Sequence, residues 1–134
     1  MKIKTLFTLI SIGFTSIYGC SSVPVAKDAA KINLSFAWPK SAACNSNSPA
    51  MTLSNIPKET AFLEFKMRDF QATFNHGGGV IPYKGSNSIP EGALKDYSGP
   101  CPPSPHTYEI SVKALNANKD LILGEGAFSR TFPE

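Results

Sequence analysis

The sequence predicts an all-β domain built as an antiparallel sandwich. Three stretches alternate apolar and polar residues with period two, the signature of half-buried strands. They are Ile32–Trp38, Leu63–Arg68 and Tyr108–Ala114. No stretch of about 12 residues carries an apolar period of 3.6 between capping signals, so helices have no candidate segment. Glycine and proline make up 21 of the 134 residues, enough for frequent turns. The length suits one domain with a real core and leaves no room for a second. Hydrophobic residues at 42% and a formal charge of only +3 are incompatible with a disordered chain.

In chain order, Met1–Gly19 reads as an export signal. Lys2 and Lys4 supply a positive start, and the uncharged apolar run 6–17 is too short to span a bilayer comfortably. Ile17-Tyr18-Gly19-Cys20 followed by Ser21 resembles a bacterial lipoprotein box, which makes Cys20 the acylated first residue of the mature chain. Ile17 and Tyr18 are uncommon choices within such a box. Ser21 after the cysteine resembles lipoproteins sent on to the outer membrane, facing the periplasm or the surface; the alternative is a secreted or periplasmic protein. Residues 20–30 then read as a small-residue tether and 31–134 as the β domain.

Loss of the leader changes the charge. Without Lys2 and Lys4, eleven basic residues face ten acidic ones, a net charge of +1. No basic stripe remains to hold a phosphate backbone, which argues against nucleic acid as a partner. With Cys20 acylated, Cys44 and Cys101 are an even pair in an oxidising compartment, where a disulfide is expected and two separate buried thiols are the alternative.

The first strand, Ile32–Trp38, ends at Pro39, and 50–53 and 80–83 are shorter candidates. Leu63, Phe65 and Met67 form one face of the next clear strand, and Tyr108, Ile110, Val112 and Ala114 one face of another. A turn at 116–120 leads to a last strand over 121–123 and 126–132, interrupted by glycine. Two loops stand out. Asn75-His76-Gly77-Gly78-Gly79 sets a histidine before three glycines, where backbone can approach a ligand. The segment 99–106 is locked by four prolines and ends at His106, the second of the two histidines.

These residues resemble the phosphatidylethanolamine-binding protein (PEBP) family, also called Raf-kinase-inhibitor-like proteins. Ser48-Pro49-Ala50-Met51 and Ile56-Pro57-Lys58-Glu59-Thr60 are similar to its S-P-x-L…I-P-x-x-T entry segment. Asp69 falls at the start of its D-P-D-x-P loop, His76 at its next histidine, and Ile89-Pro90-Glu91-Gly92-Ala93 on its L-P-x-G-A run. Tyr97-Ser98-Gly99-Pro100-Cys101-Pro102-Pro103, with His106-Thr107-Tyr108 behind it, is similar to the bacterial G-Y-G-G-P-C-P-P…H-x-Y segment. The resemblance runs from about Ile32 to the C-terminus. It departs at Phe70 and Gln71, which replace the proline and second aspartate of D-P-D, and at the glycines after His76. The chain also lacks the family's C-terminal helices and resembles a minimal member.

The resemblance implies a pocket at one end of the sheet for a small anion or a phospholipid head group. Asp69, His76, His106 and Tyr108 would line it, with Pro102 and Pro103 shaping its rim. Such a site is chemically sensible, because ring N–H and phenol O–H groups donate to phosphoryl oxygens. No H-E-x-x-H or H-x-x-E-H spacing points to a metal, no G-x-S-x-G elbow to a serine hydrolase, and no feature to a cofactor. The expectation is non-catalytic binding. The alternatives are a protein-interaction or inhibitor module, marked by Phe62, Phe70, Phe74 and Tyr83, and a hydrolase using loop serines 98 or 104.

Overall fold

The computed structural model describes residues 22–134. The leader and Cys20 lie outside the described residues. Among the described residues nine strands are formed: β1 (Val25–Lys31), β2 (Asn33–Phe36), β3 (Met51–Ser54), β4 (Phe62–Asp69), β5 (Asn75–Pro82), β6 (Ser88–Ile89), β7 (Asp96–Tyr97), β8 (His106–Leu115) and β9 (Ile122–Phe132). They make a six-stranded sheet in the order β1-β9-β8-β4-β5-β7 and a three-stranded sheet in the order β2-β3-β6. Among the described residues every regular element is a strand, as the sequence periodicities require.

Alternation decides which face is buried. Leu63, Phe65 and Met67 of β4 stand opposite Ala114, Val112 and Ile110 of β8, so their side chains share one face of the large sheet. Leu34, Phe36, Met51, Leu53 and Ile89 of the small sheet complete the same apolar cluster. The outer face is a charged surface. Glu64 faces Lys113, Lys113 faces Glu125, and Glu125 faces Lys31, a row of alternating sign across four strands. Opposite-sign neighbours of this kind stabilise by roughly 0.2–1 kcal/mol each and penalise a one-residue slip of register.

Three elements differ from the sequence reading. The stretch taken as part of a tether forms β1 from Val25 onward, paired parallel with β9, so the large sheet is mixed and not purely antiparallel. Its small side chains gave no apolar alternation. What places it is β9, whose outer edge would otherwise leave backbone groups unpaired. Second, 121–132 is continuous from Ile122, with its irregularity taken up as a register shift against β8. Third, the glycines after His76 belong to β5. At Gly77, in the left-handed region at φ 68°, a Cβ would meet the Asp96 carbonyl; at Gly78 it would meet the Phe65 carbonyl. These glycines therefore admit the neighbouring strands' backbones, where the sequence suggested an approaching ligand.

Candidate functional site

The inner row of the large sheet continues past the apolar core. One step beyond Met67 and Ile110 the facing pair is Asp69 and Tyr108, and one further step along β8 brings His106. On β5 the register shifts by one residue between the pairs Lys66–Gly78 and Arg68–Asn75. A bulge of this type re-aims a side chain, and here His76 points inward and is 4% exposed. Asp69 and Tyr108 are 6% and 1% exposed.

The buried carboxylate organises the group. Asp69 Oδ1 accepts from the Gln71 amide at 2.8 Å, and Oδ2 accepts from Nδ1 of His106 at 2.7 Å. The proton of His106 is thus on Nδ1, leaving Nε2 as the nitrogen available to a ligand. His76 Nδ1 donates to the Ser98 carbonyl at 2.8 Å, while its Nε2 stands 4.0 Å from Asp69 Oδ2, beyond hydrogen-bond reach. Tyr108 stacks on His106 and meets His76 edge to face at centroid distances of 6.2 and 5.3 Å.

These contacts set the charge states. Burial by itself raises the Asp69 carboxyl, but the hydrogen bonds from His106, the Gln71 amide and Tyr108, with the His106 charge, outweigh it and hold the group below its usual 3.8. Burial pushes the Tyr108 phenol up to about 12, helped by the charge of Asp69 and its hydrogen bond. Tyr108 is a neutral donor across the physiological range, and Asp69 an anion. Tyr97 behind them is likewise raised, chiefly by burial.

A cavity of about 490 Å³ opens at this end of the sheet. Asp69, His76, Pro102, Pro103, His106 and Tyr108 all line it, so the six residues expected from the sequence surround one space. His76 reaches it from a strand rather than from a loop. The Cys44–Cys101 disulfide is formed and both cysteines belong to the cavity wall. Backbone hydrogen bonds from Cys44 to the Pro100 carbonyl and from Gly99 to the Asn45 carbonyl press the same two segments together.

Sequence reading missed several lining groups. Asn45, Ser46, Ala72 and Phe74 also face the cavity. Phe74 is 62% exposed and meets His76 edge to face at 4.8 Å. Gln71, which replaces the expected second carboxylate, ties the loop down: its Oε1 accepts from the Thr107 amide at 2.8 Å. Of the aromatics singled out as a possible patch, Phe70 and Phe74 are exposed, whereas Phe62 and Tyr83 are partly buried. Arg130 lies on the same inner row opposite Tyr108, but its guanidinium is engaged by the Phe36 carbonyl and Glu134. Among the described residues no cluster of three or more histidine, cysteine or acidic side chains is arranged to hold a metal ion.

A two-sheet β domain with a histidine-, tyrosine- and carboxylate-lined cavity at one sheet end is the class that this geometry defines. The fold is that of PEBP homologues. The chain is similar to a PEBP homolog from Chlamydia trachomatis, with a TM-score of 0.57 and 17% identity over 80% of this chain and 99% of that one. It is equally similar to YbcL of E. coli, described as a new member of the mammalian PEBP family, with a TM-score of 0.57 and 16% identity over 77% and 98% of the two chains. No family model matches the sequence, and no curated protein matches it.

Proposed function

We propose that the protein is an exported, non-catalytic binding protein, anchored through an acylated Cys20, whose cavity takes a small anion of the phosphate or phospholipid head-group type. The observation that carries this reading is the convergence of two imidazoles and a phenol on one buried carboxylate. Asp69 accepts from His106 Nδ1–H and so holds the ring with Nε2 left to meet an incoming phosphoryl group. Asp69 lines the cavity but is buried, and the hydrogen bonds it accepts from His106 and the Gln71 amide offset its charge toward the ligand. The PEBP-like fold supports a binding role of this kind.

The test is a titration of the mature domain with phosphoethanolamine, following both imidazoles by NMR. Coupled, saturable shifts are expected in His76 and His106. His106→Ala should weaken binding by about ten- to a hundredfold, the worth of one hydrogen bond to a charged group. Unchanged affinity in both His76→Ala and His106→Ala sinks the assignment. A second reading, an interaction module at the cell envelope, draws on exposed Phe70 and Phe74 beside the cavity. In that case binding of a protein partner survives the double histidine substitution and is lost on Phe70→Ala with Phe74→Ala.

A further inference from the structure

We propose that the cavity is held away from the membrane that carries the anchor, and that its anion therefore arrives from the aqueous phase instead of from that membrane's head groups. The inference rests on attachment through the segment before β1, as proposed above.

Strand direction carries the argument. The cavity is lined from the C-terminal end of β4 and the N-terminal ends of β5 and β8, at Asp69, His76 and His106. β1 runs parallel to β9 and begins where β9 begins, with Val25 opposite Ile122; Ile122 in turn pairs with Leu115, the last residue of β8. The chain thus enters the sheet at the pole opposite the cavity. The ten residues of β8 separate the two poles by about 30 Å.

The lead is too short to fold back. The Ile122 amide donates to the Pro24 carbonyl at 2.8 Å, so the chain is fixed to the sheet from Pro24 onward. Only Ser21, Ser22 and Val23 lie between that point and Cys20. Fully extended, Cys20 to Pro24 spans roughly 14 Å, about half the distance to the cavity. The entry pole also suits a membrane. Val23 and Val25 are exposed there, and on the adjoining turns exposed Lys58, Lys84 and Lys119 stand beside exposed Glu59 and Asp120, which leaves only a small positive excess. A domain tied this way presents Phe70, Phe74 and the cavity mouth to the compartment.

The single tryptophan gives a reporter at the cavity pole. Trp38 packs on Tyr108 and Phe132 at ring distances of 5.9 and 5.6 Å and donates to the Thr131 carbonyl. The full chain, produced with its acyl group, is placed in vesicles containing lipid with dansyl-labelled head groups. Energy transfer from Trp38 is compared with that from Asn118→Trp in a Trp38→Phe background, where the indole sits on the turn at the opposite pole. At least threefold more efficient transfer is expected from position 118. Equal or greater transfer from Trp38 overturns the proposal, and so does a full chain that fails to partition into vesicles.

A second arm needs no substitution. Affinity of the anchored wild-type chain for soluble phosphoethanolamine is measured in phosphatidylethanolamine and in phosphatidylcholine vesicles. Agreement within twofold is expected, since the anchored pole and the cavity pole lie about 30 Å apart. A loss of more than tenfold in phosphatidylethanolamine vesicles means that the local head groups fill the cavity and overturns the proposal. Absence of saturable binding in every sample, including the unanchored domain, overturns the binding function itself, while the energy transfer still decides the orientation.

Discussion

The middle of the large sheet and its cavity end share one inner face and one alternation, yet they do opposite things. In the middle, Leu63, Phe65 and Met67 meet Ala114, Val112 and Ile110, and every one of these side chains is apolar and buried. At the end the next facing pair is Asp69 and Tyr108, equally buried but polar, with His106 and His76 beside them. Between β4 and β8 the ladder runs through the change without a shift of register. The strand pattern delivers residues to the interior, and only side-chain identity decides whether the next position adds to the core or opens a site. The polar end is tolerable because each group is satisfied: Asp69 by His106 and the Gln71 amide, His76 by the Ser98 carbonyl.

Separable roles for the two regions have measurable consequences. Leu63→Ala removes a fully buried side chain at the far end of the core row. It should cost about 2–5 kcal/mol of unfolding free energy in urea and leave phosphoethanolamine affinity unchanged. A tenfold loss of affinity in the folded variant would mean that core and site are one mechanical unit. Removing the disulfide sharpens the contrast from the other side. Cys44 and Cys101 are 57 residues apart in the chain, and closing that loop is worth about 4 kcal/mol in the chain-entropy model. The double Cys→Ala variant should therefore lose a similar amount of stability as Leu63→Ala. Because both cysteines line the cavity, it should also bind phosphoethanolamine several-fold more weakly. Equal affinity would show that Cys44 and Cys101 brace the fold without shaping the cavity.

The same contrast explains what could be read from the sequence. β4 and β8 were legible because they bury one face throughout, so period two is written in their residues. β1 was not, because its position is set by the edge of β9 rather than by its own side chains. β5 was only half legible: in Gly77 and Gly78 the absence of a side chain is what lets β7 and β4 close on it, and absence carries no hydrophobic pattern. β6 and β7, at two residues each, are shorter than any periodicity can register. For the site, the residue types and the family-like motifs picked out the four polar groups. The carbonyl of Ser98, the Gln71 side chain and exposed Phe74 escaped, since a backbone acceptor or a loop aromatic has no spacing rule. One motif-level link proved physical. Ser48 of the first family-like segment is fully buried, its Oγ accepts from the Leu94 amide, and its carbonyl accepts from Gly92 of the L-P-x-G-A run.

The smallest expected effect is the one most specific to the polar end. Asp69 is below its ordinary 3.8 in the folded protein because the gains from His106, Gln71 and Tyr108 exceed the cost of burial. A carboxyl depressed by folding contributes stability that is complete above its unfolded value and is lost as pH falls through the folded one. Urea unfolding of the wild-type protein should therefore weaken below about pH 4. Asp69→Asn keeps the shape and one acceptor for His106 Nδ1–H but removes the charge. At pH 7 it should be less stable by about 1–2 kcal/mol, the difference between charge-assisted and neutral hydrogen bonds. As pH falls below 4 and on through the lowered folded value the two curves should converge, because the wild-type carboxyl then becomes neutral as well. A gap that stays constant down to pH 2 would mean that Asp69 acts through packing alone, which would leave His106 without the charged partner that orients it toward an anion.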